Sequence, residues 1–138
     1  MFNATLHHFG FVVASISESQ TGFSRFYGGA PWSVTVHDPI QRVRVAFLQP
    51  PGGSAQIELV EPAADDSPVK RFLGKGGGLH HLCYEVPDIE STLEAARDSG
   101  AYVVSPPSPA VAFGGRRIAW VMTPERLLVE FLESERER

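Results

Sequence analysis

Residues 5–13 alternate between two faces, His8, Gly10 and Val12 on one and His7, Phe9, Phe11 and Val13 on the other, which is the period of a β-strand. Ser15 and Glu18 follow at capping-box spacing, and Ile16, Phe23, Phe26 and Tyr27 then fall on one helical face, with Gly28-Gly29 placed to end the helix. Strands are predicted over 32–38 and 41–48, turned at Asp38-Pro39. Pro50-Pro51-Gly52-Gly53 is a second turn, leading to a fourth strand over 56–60. Residues 61–78 read as a connector, with a short helix that Ser67-Pro68 opens and Gly74 ends. Gly76-Gly77-Gly78 reads as a hinge, because no Walker pattern surrounds it.

The second half predicts the same order. A strand over 79–86 leads to Asp88 as N-cap, then to a helix buried through Ile89, Leu93 and Ala96 and closed by Gly100. Residues 101–104 form a strand that Pro106-Pro107-Ser108-Pro109 stops. Strands over 117–121 and 127–132 flank a turn at 123–126, and the alternating charges of 133–138 read as a solvated tail.

The likeness of the halves holds one register. Leu6, His7, His8, Val13 and Ile16 recur 73 residues later as Leu79, His80, His81, Val86 and Ile89. Arg44-Val45-Ala46-Phe47-Leu48 matches Arg117-Ile118-Ala119-Trp120-Val121 at the same offset, and Ile57-Glu58-Leu59 matches Val129-Glu130-Phe131 one residue short of it. Two copies of a βαβββ unit follow: module one over 5–62, a connector over 63–78 and module two over 79–133, within a single domain spanning 1–138.

Composition narrows the functional classes. With 43% hydrophobic and 20% charged residues, the chain is expected to fold around an ordinary core. Twelve Lys and Arg against sixteen Asp and Glu give a net charge of −4, with no electrostatic attraction to nucleic acid or an anionic membrane. Cys83 is the sole cysteine, so no intrachain disulfide can form. No apolar run approaches the roughly 18 residues of a membrane span. Met1-Phe2-Asn3-Ala4 lacks the basic flank and apolar run of a signal peptide, so the cytoplasm is the expected compartment.

Glu58 and Glu130 each sit mid-strand between apolar neighbours. Burying an unpaired carboxylate costs several kcal/mol, so each is either solvated by alternation or held by a partner or a metal. A lone strand histidine is ordinarily a packed residue. Here His8, Glu58, His81 and Glu130 occupy equivalent places in two repeats, and a twofold relation would bring two imidazoles and two carboxylates to one cavity. Such a set suits one divalent Co, Ni, Zn, Mn or Fe ion, with water completing the sphere. Either histidine of each pair can serve, and Gly10 on the face of His8 would leave room for a ligand. Cys83 shares the face of His81, where it reads as a buried structural thiol. Trp32 and Trp120 read as core or interface residues.

The pattern His8-Phe9-Gly10-Phe11-Val12-Val13, then Ile57-Glu58-Leu59-Val60-Glu61-Pro62, then Gly76-Gly77-Gly78-Leu79-His80-His81-Leu82-Cys83-Tyr84-Glu85-Val86, resembles the vicinal oxygen chelate (glyoxalase/bleomycin-resistance/dioxygenase) superfamily. Within it the chain is most similar to methylmalonyl-CoA epimerases and next to glyoxalase I. Ser67-Pro68 with Phe72-Leu73, and Gly115-Arg116-Arg117-Ile118-Ala119, add to the epimerase likeness.

The resemblance implies an α+β fold in which paired βαβββ modules form a cup-shaped, partly open eight-stranded sheet around a metal, commonly in homodimers. It implies His8, Glu58, His81 and Glu130 as metal ligands, with Glu130 also the base. The activity implied is a metal-dependent isomerisation or epimerisation by proton transfer beside a metal-bound carbonyl, with an acyl-CoA thioester as small-molecule substrate. In one respect the chain departs from the epimerases. They use a second glutamate near the strand that begins here around Gln41, whereas the only carboxylate between Ala30 and Ala46 is Asp38, the candidate replacement. Arg116, in a Gly-rich loop, is a candidate for a substrate carboxylate or CoA phosphate. The alternatives are a lactoylglutathione lyase of glyoxalase I type or other thiol-conjugate enzyme, an Fe(II) dioxygenase using two histidines and Glu130, and a non-catalytic drug-binding protein.

Overall fold

The computed structural model describes residues 3–135, which form eight strands and three α-helices. The chain divides into two compact units, one of residues 8–80 and one of residues up to His7 with those from His81 onward. The boundaries fall at repeat-equivalent places, inside the two histidine pairs, and the expected connector belongs to the first unit.

The first unit contains most of β1 (Thr5–Val12), then α1 (Ile16–Ser24), β2 (Val36–Asp38), β3 (Val43–Leu48), β4 (Gln56–Pro62) and α2 (Lys70–Gly74). Its strands lie in the order β2-β3-β4-β1, with β1 and β4 parallel and the other pairs antiparallel. The second unit repeats this with β5 (Gly78–Val86), α3 (Ile89–Asp98), β6 (Tyr102–Pro109), β7 (Arg117–Met122) and β8 (Leu128–Glu133). Its order is β5-β8-β7-β6, with β5 and β8 parallel. Together these make the expected α+β fold, an eight-stranded mixed sheet built of two βαβββ modules.

Helices α1 and α3 each cover one face of the strands of their own unit. Ile16 of α1, with Phe23 partly buried behind it, packs on Ala46, Leu48, Ile57 and Leu59. Ile89, Leu93 and Ala96 of α3 pack on Ala119, Val121, Val129 and Phe131. Burying each large aliphatic side chain contributes about 1.5–3 kcal/mol. Alternation then sends Glu58 and Glu130 to the face that the helices do not cover. Both helices start as expected. Ser15 Oγ accepts the Glu18 N–H at 3.3 Å, and Asp88 Oδ1 accepts that of Ser91 at 3.0 Å.

Several elements differ from the sequence reading. Helix α1 ends at Ser24, ahead of Gly28-Gly29. Beyond it Phe26, Tyr27 and Ala30 donate to carbonyls three residues back, so the 3.6-residue period lapses and Phe26 stands 84% exposed. Only residues 36–38 of the expected 32–38 strand are strand, although Trp32 bridges Leu48. Ser67 does not cap α2: the helix begins at Lys70 after Val69, and a turn occupies the Ser67-Pro68 position. The prolines do not stop β6, which runs to Pro109. It is the last strand in its order and carries register shifts on either side of Ser105, so a missing N–H costs no ladder bond there. The expected tail begins inside β8, where Glu133 is a strand residue; residues 136–138 of it, and Met1 and Phe2 at the start, lie outside the described residues. Among the described residues no helix is long and apolar enough to cross a membrane.

The glycine run is more constrained than a hinge. Gly76, Gly77 and Gly78 have φ of +117°, +67° and +96°, and a Cβ on Gly77 would sit 2.6 Å from the Val12 carbonyl oxygen. The loop passes against the end of β1 at a distance only glycine permits.

Candidate metal centre

In the first unit the parallel register of β1 and β4 sets Gly10 opposite Glu58. His8, two residues back on the same face, brings Nε2 to 3.3 Å from Glu58 Oε1. His8 is fully buried and Glu58 is 5% exposed, so the alternation that could have solvated this glutamate does not. Phe47 stands across from Glu58 on β3, and its ring meets the His8 imidazole edge to face, centroids 5.4 Å apart.

The second unit repeats each of these relations at equivalent positions. Cys83 stands opposite Glu130 between β5 and β8, and His81 Nε2 lies 3.4 Å from Glu130 Oε1. His81 and Glu130 are 2% and 3% exposed. Trp120 stands across from Glu130 on β7 and meets the His81 ring edge to face at 4.7 Å.

These pairs fit a metal ion. Ligand bonds of roughly 2.0–2.2 Å, spread between right angles and the tetrahedral angle, place neighbouring donor atoms roughly 2.8–3.6 Å apart. Both Nε2–Oε1 separations fall inside that range. One neutral imidazole nitrogen and one carboxylate oxygen per unit make a hard-to-borderline donor set, suited to Mn, Fe, Co, Ni or Zn.

The first histidine of each pair packs instead. His7 meets Phe113 and His80 meets Phe72, each edge to face, at 5.5 and 4.9 Å. Cys83 is fully buried against Ala110, Ile118 and Leu132. Asp38 lies on the face of Phe47 and Glu58, paired with Val43. Val43 is four residues along β3 from Phe47, which is roughly 13 Å at the rise of a strand. Asp38 Oδ1 accepts the N–H groups of Ile40 and Gln41 at 2.9 and 3.0 Å, forming the β2–β3 turn.

Arg116 is half-buried. Its Nη2 lies 2.6 Å from Glu85 Oε2, and its Nε donates to the Glu133 carbonyl at 2.8 Å. Neighbouring Arg117 reaches Glu133 at 2.7 Å and Glu90 at 2.6 Å. Hydrogen bonding to the two carboxylates raises the Arg117 pKa, and the same guanidinium holds the Glu90 carboxyl below its usual value. Arg44 pairs with Glu61 at 2.9 Å in the first unit, the counterpart of Arg117 and Glu133, and Glu61 Oε2 also accepts the Ile16 N–H at the start of α1.

Sequence reasoning missed the parts played by Phe47 and Trp120. The signal was present, since both are aromatic and hold equivalent places in the repeat. Trp32, by contrast, is a packing residue whose Nε1 donates to Ser24 Oγ at 2.8 Å.

The sequence model of the Glyoxalase/Bleomycin resistance protein/Dioxygenase superfamily matches residues 7–120. An uncharacterized Bacillus subtilis protein is 35% identical over 132 residues, covering 93% of this chain and 91% of its own. The ethylmalonyl-CoA/methylmalonyl-CoA epimerase of Cereibacter sphaeroides is 30% identical over 121 residues, covering 84% and 86%. A solved variant of Streptomyces coelicolor methylmalonyl-CoA epimerase, in complex with 2-nitronate-propionyl-CoA, superposes with a TM-score of 0.77 at 27% identity, covering 95% of this chain and 97% of that one.

Proposed function

Since the chain belongs to the glyoxalase/bleomycin resistance protein/dioxygenase superfamily, we propose that it is a metal-dependent enzyme of epimerase type, moving a proton at the carbon beside the thioester carbonyl of an acyl-CoA. The observation that carries the reading is the duplicated, buried His–Glu pair. The four residues of the two pairs, His8, Glu58, His81 and Glu130, are proposed to hold one divalent ion. Such an ion, when bound, lends Lewis acidity to a carbonyl oxygen and makes the neighbouring C–H more acidic. Glu130 is proposed to take the proton on a carboxylate oxygen and return it, while His8 and His81 keep Nε2 turned toward the carboxylates. The substrate class rests on the relatives: the Cereibacter enzyme is named for ethylmalonyl-CoA and methylmalonyl-CoA, and the Streptomyces structure holds an acyl-CoA analogue. A cytoplasmic homodimer completes the reading, and sedimentation velocity tests the dimer.

The test combines elemental analysis of protein purified without chelator with solvent deuterium uptake into methylmalonyl-CoA. About one equivalent of divalent metal, and exchange that chelation abolishes, are expected. Protein that takes up no Co, Ni, Mn, Fe or Zn would sink the proposal. The variant Glu130→Gln should lose about 10²–10⁴-fold in exchange rate. Asp38→Asn tests the second proton carrier. Retained exchange with lost inversion would identify Asp38 as the group returning the proton on the opposite face; unchanged inversion would remove it from the mechanism.

A further inference from the structure

Phe47 and Trp120 occupy the same place in the two modules, yet they differ in kind. Phe47 is 8% exposed and closed in behind His8. Trp120 is larger and remains partly exposed, while standing across the ladder from Glu130 and 4.7 Å from the His81 ring. Beneath it lie Cys83, Ala110, Ile118 and Leu132, none more than 3% exposed. An indole on so tightly packed a bed is held in place and cannot yield when a ligand arrives.

From these relations we infer that Trp120 is the specificity-determining wall of the site, and that it receives the substituent on the carbon losing the proton. The inference rests on the proposed reaction at Glu130. A carbon close enough for that carboxylate to deprotonate has the cross-strand neighbour of Glu130 beside it, because directly paired side chains sit roughly 4.5–5.5 Å apart at Cβ. What Trp120 presents there is flat and apolar, which suits a short alkyl group and resists a long or charged one. Phe47, being buried, serves only to hold His8. The two modules thus share one metal-binding plan, and substrate choice falls to the second.

The experiment compares wild type, Trp120→Phe and Trp120→Ala on two acyl-CoA thioesters, one carrying methyl and one ethyl on the carbon beside the carbonyl. Readouts are metal content, solvent deuterium exchange and kcat/KM. One methylene in an apolar pocket is worth about 10–200-fold in kcat/KM. Trp120→Ala should therefore shift the ethyl-to-methyl ratio at least tenfold toward ethyl at unchanged metal content, with Trp120→Phe between it and wild type. A Trp32→Phe protein, whose remaining indole is Trp120, should change its emission when either thioester binds. An unchanged ratio in both Trp120 variants at full metal content overturns the inference while leaving the parent reading intact. Loss of metal from Trp120→Phe overturns it in favour of a ring that only supports His81. Wild-type protein that binds metal but shows neither exchange nor an indole response to these thioesters, or that binds no metal at all, overturns both. If Trp120→Ala does not fold, the Trp120→Phe ratio decides.

Discussion

Cys83 lies directly across from Glu130 in the β5–β8 ladder, at the position that Gly10 holds across from Glu58. The duplication therefore keeps the histidine and the glutamate of each unit and varies the residue across the ladder from the glutamate. Cys83 is fully buried, and a thiol so placed is shielded from polar reagents. Native protein should react with 5,5′-dithiobis(2-nitrobenzoic acid) only at the rate of local opening, and denatured protein should release one equivalent at once. Fast stoichiometric reaction of the native protein would contradict the packing of Cys83 against Ile118 and Leu132.

Glu130→Gln should have opposite effects on stability without metal and with it. Without a cation, a carboxylate 3% exposed bears the desolvation cost of its charge. Glu130→Gln removes that charge and keeps the shape, so in excess chelator its melting temperature should equal or exceed that of wild type. Metal addition should reverse the order, because each tenfold of free metal above Kd adds about 1.4 kcal/mol to the form that binds. Paired melting curves with EDTA and with Co or Mn give the answer, and a variant less stable than wild type under both conditions would contradict it.

Much of this site could be read from the chain, and the reason is physical. Glu58 and Glu130 announce themselves as carboxylates amid apolar strand neighbours, and a constant offset ties them to His8 and His81. What alternation could not decide was which face is solvated. That depends on where the helices pack, and α1 and α3 cover the opposite face. The matched aromatics Phe47 and Trp120 are a signal in the chain, but an aromatic in a strand reads equally as core until the register sets each beside its glutamate. Asp38 was read as a candidate base from the absence of any other nearby carboxylate, while the turn that engages its Oδ1 is a local matter of backbone N–H groups. The prolines of β6 looked like a stop because sequence does not reveal that the strand lies at the end of its order.

Gly77 and Gly114 have nearly the same φ, +67° and +65°, but different surroundings. A Cβ on Gly77 would meet the Val12 carbonyl oxygen at 2.6 Å, whereas one on Gly114 would meet nothing within 4 Å. Both alanine variants incur the strain of a left-handed residue, of order 1–3 kcal/mol. Gly77→Ala must in addition displace the end of β1. Chemical denaturation should show Gly77→Ala as clearly the less stable of the two, and equal losses would mean that the loop yields without cost.

Arg117 ties α3 to β8 by holding Glu90 and Glu133 at once, and the Glu90 arm makes a prediction about pH. Its hydrogen bond to Arg117 lowers the folded-state pKa of Glu90 below the ordinary carboxyl value. A depressed carboxylate contributes stability that is fully present above the unfolded pKa and is lost as pH falls through the folded one. Wild type should therefore melt above Glu90→Gln at neutral pH, with a constant gap down to about pH 5 that then closes on further acidification. Because the Glu90 side chain is 63% exposed, the gap should be small and should shrink as salt is added. Melting temperatures of the two proteins from pH 2.5 to 7, at low and high NaCl, check both statements. A gap that widened toward acid would mean that the Glu90–Arg117 pair does not persist in solution.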